Sequence, residues 1–313
     1  MSVIEVKNLT KQYEFNKGIY DVTFNVEEGE VVGFLGPNGA GKSTTMRHLM
    51  GFSLPNSGYA RIFDYDCGTQ YFETKKEIGY LPGEPTLPQG LDGKAFIKMM
   101  GGLKGSYNND RVKYLCDKFE LDLNQDIKRM SIGEKRKLAI VAAFMTDAKV
   151  LLLDEPTSGL DPKMQEIFID FIEEEKKRGK TILLSSHIFS EVERLCDRIL
   201  IIKDGKIVAS VNAYDVKHGL KNIIDLSFKT EEEYDKFVSF DYEFEEKNRN
   251  KRYVSIKISD SEMDTFIKRI KDFELTDFKE IKMTLEDYFM NFYKTRSWFD
   301  GINRNWKSYK RLW

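Results

Sequence analysis

The chain has 313 residues, of which 41% are hydrophobic and 32% charged, with a formal net charge of −2. Its length suggests about two domains, its composition suits a globular protein with a sizeable core, and its near-neutral charge argues against bulk nucleic-acid binding. Cys67, Cys116 and Cys196 are too few and too scattered for a disulfide framework or a zinc pattern, which points to a reducing compartment. No apolar run approaches the ~20 residues needed to cross a bilayer. The opening stretch Ser2-Val3-Ile4-Glu5-Val6 alternates like a strand and lacks a signal-peptide core. If the protein works at a membrane, another chain supplies the span.

In chain order, apolar patterns over residues 3–7, 22–26 and 31–35 predict short strands. Between the first two lies Tyr13. Its ring fits either a plain surface position or a platform for a nucleotide base, since every base offers a π-face. The third strand runs straight into Gly36-Pro37-Asn38-Gly39-Ala40-Gly41-Lys42-Ser43-Thr44, and residues 45–50 read as helix. This stretch fits G-x-x-x-x-G-K-[ST]; strand, glycine turn and helix form the context of a phosphate-binding P-loop. Side chains at the glycines would keep backbone N–H groups away from a dense negative charge, and the helix start adds partial positive charge. Lys42 can then reach the β- and γ-phosphates of a nucleotide, and the Ser43 hydroxyl can take one Mg²⁺ position. The plain alternative is an ordinary glycine-rich loop.

Residues 59–63 and 78–81 read as further strands, and Pro82-Gly83-Glu84-Pro85 breaks the chain. From about 91 to 145 the pattern turns helical, with Ala95, Met99 and Met100 on one face and Val112, Leu115 and Phe119 on another. This predicts a helical insertion within an α/β domain. Inside it, Met130-Ser131-Ile132-Gly133-Glu134 opens a helix. Ser131 and Glu134 have the spacing of a capping box, which explains them without a ligand; a helix start is also an anion site, and both readings can hold at once.

Residues 150–153 form a buried apolar strand, followed by Asp154, Glu155 and Pro156. In parallel α/β sheets ligands gather at the C-terminal strand edge. There Asp154 can hold Mg²⁺ and Glu155 can orient and deprotonate a water. Taken alone, the pair also fits two surface acids opening a turn. A tight loop over 158–162, an amphipathic helix over 164–178 and a buried strand over 181–184 follow. Ser185-Ser186-His187 closes that strand at the same edge. Of the three histidines, His48 reads as packing and His218 as surface; His187 alone is placed to meet a γ-phosphate.

Together these motifs resemble the nucleotide-binding subunit of an ABC transporter, over about residues 3–211. The resemblance implies a P-loop NTPase fold with a RecA-like core, an antiparallel β subdomain and a helical subdomain at about 90–146. It implies an ATPase using ATP and Mg²⁺. Gly36 to Thr44 is similar to the Walker A loop, Asp154 to the Walker B aspartate and Glu155 to the catalytic base. Tyr13 is similar to the adenine-stacking aromatic, Asp161 to the D-loop aspartate and His187 to the switch histidine. Ser131 and Gly133 match two positions of the signature LSGGQ; Ile132 and Glu134 depart from it, yet the hydroxyl and the Gly133 N–H remain. Gly83 stands where the family carries a Gln near Mg²⁺, a place that Glu84 or a water can fill. The family also implies a separate transmembrane permease as partner. Two nucleotide-binding subunits, identical or paralogous, would close head to tail, Ser131 of one meeting ATP held by Lys42 of the other. The chain would then sit peripherally at the cytoplasmic face of the cell membrane.

Beyond about residue 215 the character changes. Strands over 222–229, 242–245, 253–258 and 278–283, with helices over 231–238 and 262–273, run β-α-β-β-α-β and suggest a ferredoxin-like α+β domain over 216–296. Thr284-Leu285-Glu286-Asp287-Tyr288-Phe289 resembles the "SLED-F" stretch of drug- and peptide-export ATPases. That favours export, with amphipathic or antimicrobial peptides as first cargo and hydrophobic drugs as second. The alternatives are a soluble ABC ATPase or a nucleotide-dependent switch uncoupled from transport. Long coiled coils and a second P-loop, marks of repair and translation members, are both missing from the sequence.

Residues 297–313 form a basic aromatic tail. Phe299, Ile302, Trp306, Tyr309 and Trp313 step by three and four, interleaved with Arg304, Lys307, Lys310 and Arg311. Such a face suits a membrane surface, a partner groove, or packing on the chain's own second domain or on a dimer mate. If the tail meets membranes, deleting it lowers co-sedimentation with anionic liposomes; unchanged binding removes that role.

Overall fold

Two sheets and a helical layer organise the first of two units in the computed structural model, which describes residues 2–13, 17–105, 108–214, 222–281, 286 and 289. The units divide between Asn212 and Ala213. In the first, β1 (Ser2–Gln12) and β2 (Gly18–Glu27) pair antiparallel, β3 (Val31–Leu35) follows, and α1 (Lys42–Leu49) opens at the end of the phosphate loop. β4 (Ser57–Ile62), β5 (Tyr65–Asp66), α2 (Tyr71–Glu77) and β6 (Ile78–Leu81) come next. Then α3 (Gly93–Lys104), α4 (Asn109–Lys118) and α5 (Ile132–Phe144) occupy the stretch predicted to be helical. β7 (Val150–Asp154), α6 (Pro162–Lys177), β8 (Thr181–Ser186), α7 (Phe189–Leu195), β9 (Arg198–Lys203) and β10 (Lys206–Asn212) complete the unit.

The smaller sheet has the order β2-β1-β4-β5 and is antiparallel throughout. The larger has the order β10-β9-β3-β8-β7-β6, parallel except for the edge strand β10. Strands covered on both faces need apolar residues on both, which is why β3, β7 and β8 are buried along their whole length. Val150 and Leu152 of β7 join the core shared with the smaller sheet and α1. Leu151 and Leu153, equally buried, project to the opposite face.

The helical layer is built on rings. Phe171 of α6 meets Phe144 of α5 edge-on at 4.8 Å and Phe119 at 5.5 Å, and all three are buried. One expectation is corrected here. α3 buries Gly93, Phe96, Ile97 and Gly101, whereas Ala95 and Met99 are exposed and Met100 is half-buried. The large rigid ring and branched side chain of Phe96 and Ile97 decide the face; methionine spacing does not.

The second unit carries β11 (Asn222–Phe228), α8 (Glu231–Val238), β12 (Glu243–Asn248), β13 (Tyr253–Ile258), α9 (Asp260–Ile270) and β14 (Leu275–Ile281). Its sheet has the order β12-β13-β11-β14 with every neighbour antiparallel. Phe228, Phe237 and Phe273 cluster at its centre, with ring centroids 5.1 to 5.8 Å apart. The basic aromatic tail, His218 and most of the stretch after 281 lie outside the described residues.

Phe171→Ala removes the centre of the ring cluster. It is expected to cost about 3–5 kcal/mol, read as a lower urea midpoint of the first unit; an unchanged midpoint would show that the layer closes over the gap at no cost.

Candidate nucleotide-binding site

The phosphate loop leaves β3 at Leu35 and closes on α1. Two glycines make the path possible. A Cβ on Gly36 would come within 2.4 Å of the Ile202 carbonyl oxygen, so only hydrogen fits. Gly41 has φ +112°, a backbone conformation that side chains rarely allow. No side chain caps the start of α1, whereas Asp92, Asn108, Ser131 and Asp161 cap α3, α4, α5 and α6. An uncapped helix start keeps backbone donors available for an anion. Lys42 is buried, and its Nζ donates to Gly36 O at 2.6 Å and Pro37 O at 3.3 Å. Ser43, Thr44 and Pro37 are half-buried, Ala40 is buried, and Asn38 and Gly39 are exposed.

β7 and β8 bring the carboxylates alongside. Asp154 is buried at the end of β7, and its Oδ1 accepts from Ser185 Oγ at 2.5 Å. Glu155 turns the chain with φ +46°, in the left-handed region. A residue with a side chain held there costs of order 1–3 kcal/mol, and such strain concentrates at working sites. Ser185 holds the turn, accepting from the Glu155 N–H through both its carbonyl and its hydroxyl at 3.1 Å. The carboxylate is thereby spread between two groups. Oε2 lies 2.6 Å from His187 Nδ1, and Oε1 lies 3.1 Å from Lys42 Nζ, outside hydrogen-bonding directions. Oε1 is therefore a buried acceptor without a hydrogen-bond donor. Lys42, Glu155 and His187 thus meet, and Asp154 stands one residue away. His187 is half exposed, at 54% of its side-chain surface.

Gly83 faces this group, since a Cβ built there would sit 3.4 Å from Asp154 Oδ2. Glu84 is exposed. Tyr13 is also exposed, with the Lys11 ammonium 5.7 Å from its ring centroid. Next to it an open cleft is lined by Gln12, Tyr20, Asp204 and Lys206. The cleft borders the phosphate loop through the Gly205 N–H, which donates to Ala40 O at 3.0 Å.

Ser131, Gly133 and Asp161 form a separate group. Ser131 and Glu134 make the capping box in full, the hydroxyl accepting at 3.2 Å and the carboxylate at 2.8 Å. Gly133 and Ile132 adjoin Gly159, and Asp161 caps α6, accepting from the Met164 N–H. Among the described residues no hydrogen bond or ion pair joins this group to Lys42 or Glu155. Ile132 is 79% exposed, an apolar side chain standing beside the capped serine.

Tertiary contacts alone give three further polar residues their roles. Ser185 secures Asp154 and Glu155, as described. Glu191 is buried and accepts from Thr157 Oγ1 at 2.5 Å and Ser186 Oγ at 2.9 Å, so it ties the loop after Glu155 to the strand before His187. Arg136 is buried in α5, and burial pushes its guanidinium down to about 10, offset in part by Asp154 and Glu155. In the sequence Arg136 stands between Lys135 and Lys137, so nothing local marks it as the buried one.

A family model described as ABC transporter matches residues 19–158. The ABC transporter ATP-binding protein YhcH of Bacillus subtilis is 34% identical over 217 residues, covering 68% of this chain and 71% of that protein. The daunorubicin/doxorubicin resistance ATP-binding protein DrrA of Streptomyces peucetius is 34% identical over 229 residues, covering 71% of this chain and 69% of that protein. Among solved structures, the dimeric post-hydrolysis state of the ATP-binding cassette MJ0796 bound to ADP and Pi superposes with a TM-score of 0.61 at 25% identity, covering 67% of this chain and 98% of that one. The chain belongs to the ABC transporter family as one of its ATP-binding, ATP-hydrolysing subunits.

Proposed function

We propose that this subunit drives export through a separate membrane-spanning chain, with ATP cleaved beside Glu155. The observation carrying the reading is the placement of one carboxylate between an ammonium and an imidazole, Glu155 lying 3.1 Å from Lys42 and 2.6 Å from His187. In this reading Lys42 leaves the carbonyls of its own loop for the β- and γ-phosphates. Gly36, Pro37, Asn38, Gly39, Ala40 and Gly41 cradle the phosphate chain, and Thr44 extends the run of helix-start amides. Glu155 takes the proton of the attacking water, and His187 holds its carboxylate and donates to the γ-phosphate. Ser43 and Asp154 would hold Mg²⁺, which when bound would neutralise charge on the phosphate oxygens. The buried Asp154 carboxylate, whose Oδ1 accepts from Ser185 Oγ, is a hard oxygen ligand of the kind Mg²⁺ takes. Tyr13 stacks on the adenine, beside the Gln12 and Tyr20 cleft.

Ser131, Gly133 and Asp161 serve the ATP of a second subunit. Their separation from Lys42 within one chain supports that reading, as does the dimeric form of MJ0796. The second unit reads as a ferredoxin-like module over about residues 216–296, supported by its strand order. No helix among the described residues is long and apolar enough to cross a membrane, so a permease supplies the span and holds the subunit at the cytoplasmic face. DrrA is named for drug resistance, which supports hydrophobic drugs as cargo beside amphipathic peptides.

Glu155→Gln is expected to keep nucleotide affinity and slow turnover by roughly 10²–10⁴, measured as phosphate release under saturating Mg·ATP; Lys42→Ala loses fluorescent-nucleotide binding itself. Turnover at the parent rate in Glu155→Gln rejects the base assignment. Affinity purification from detergent-solubilised membranes is expected to bring down one stoichiometric membrane-spanning chain. Recovery of the subunit from the soluble fraction alone, without such a chain, overturns the transport reading.

A further inference from the structure

Arg136 sits in the second turn of α5, 2% exposed. Buried cations are ordinarily paired with a carboxylate, yet among the described residues Arg136 has no ion pair. All of its N–H groups are instead taken up by backbone carbonyls. Nε donates to Pro156 O at 3.0 Å. Nη1 donates to Pro82 O at 2.5 Å and Gly83 O at 3.0 Å. Nη2 donates to Asp154 O at 3.2 Å and to Glu155 O. These carbonyls belong to two turns from distant parts of the chain, one leaving β6 and one leaving β7.

The same turn after β7 holds Glu155 in its left-handed conformation. Ser185 fixes the amide side of that residue and Arg136 fixes its carbonyl side. With both peptide groups held, the carboxylate is aimed at Lys42 and His187. The turn after β6 contains Gly83, which faces Asp154 Oδ2. A planar guanidinium can bridge both turns because its donors fan out in a fixed fork; an ammonium cannot.

We propose that Arg136 is a positioning residue for ATP hydrolysis, clamping the Pro82–Gly83 turn to the Asp154–Pro156 turn so that the Glu155 carboxylate stays aligned for water attack. This rests on Glu155 being the base. Arg136 donates its hydrogen bonds to these carbonyls and not to the loop between β3 and α1, so its action runs through Glu155.

The test uses the full chain. Arg136→Lys is expected to lower kcat by about 10–100-fold, the scale of a reacting group displaced by ~1 Å, with fluorescent-ATP affinity within about 2-fold of the parent because ground-state binding is untouched. Arg136→Gln, without the charge, should lose at least as much. In single-turnover assays on the Glu155→Gln background, Arg136→Lys should add no further loss, since two residues acting as a unit are not additive. Parent kcat in Arg136→Lys overturns the proposal. So does a loss of affinity that parallels the loss of kcat, or a full second loss on top of Glu155→Gln. Failure of both Arg136 variants to give the parent thermal transition assigns the residue to the scaffold and overturns it equally. Parent turnover in Glu155→Gln alone is a different failure: it removes the base itself, and this inference with it.

Discussion

Strands β3, β8 and β7 pair in parallel, with Leu35 opposite Ser186 and Ser185 opposite Asp154. That register is the constraint on which the site depends. It places the mouth of the glycine loop, the acidic strand end and His187 on one edge. A slip of one residue would send each side chain to the other face of the sheet. Burial on both faces guards against slippage, because any shift would also move apolar residues out of the core.

Around this edge the protein uses hydrogen bonds to neutral partners where free charges would be expensive. The Glu191 carboxylate accepts from two hydroxyls, Thr157 and Ser186, while buried. Arg136 spends its donors on carbonyls. Asp154 accepts from Ser185. Each charged group is satisfied without consuming an opposite charge. The Glu155 and Lys42 charges thus remain close, with one carboxylate oxygen lacking a donor. A cluster that had neutralised itself completely would have less to offer a triphosphate and a water.

The second unit is built differently. Phe228 and Phe237 each meet Phe273 edge to face in its core, and its strand β11 alternates between buried and half-buried positions from Ile224 to Phe228. Lys42, Glu155 and His187 all lie in the first unit.

Much of this was legible from residue order. The run from Val31 to Leu35, the glycines of the loop and Lys42 stand within one local stretch, and local spacing reveals local geometry. The Ser131–Glu134 capping box was equally readable, since its partners are three residues apart. β9 is legible in the same way, in the apolar Ile199-Leu200-Ile201-Ile202. The buried face of α3 was not readable from methionine spacing, because which stripe of a helix turns inward depends on what packs against it. The contact of His187 with Glu155 and the carbonyl cage of Arg136 lay further out of reach. They join segments that meet only once the sheet is paired and α5 is docked. Sequence alone therefore determined which groups are present and the glycine-rich loop that joins β3 to α1. Tertiary structure alone decided which carboxylate faces the lysine and what holds it there, since those distances are set by strand register and helix packing between residues remote in the chain.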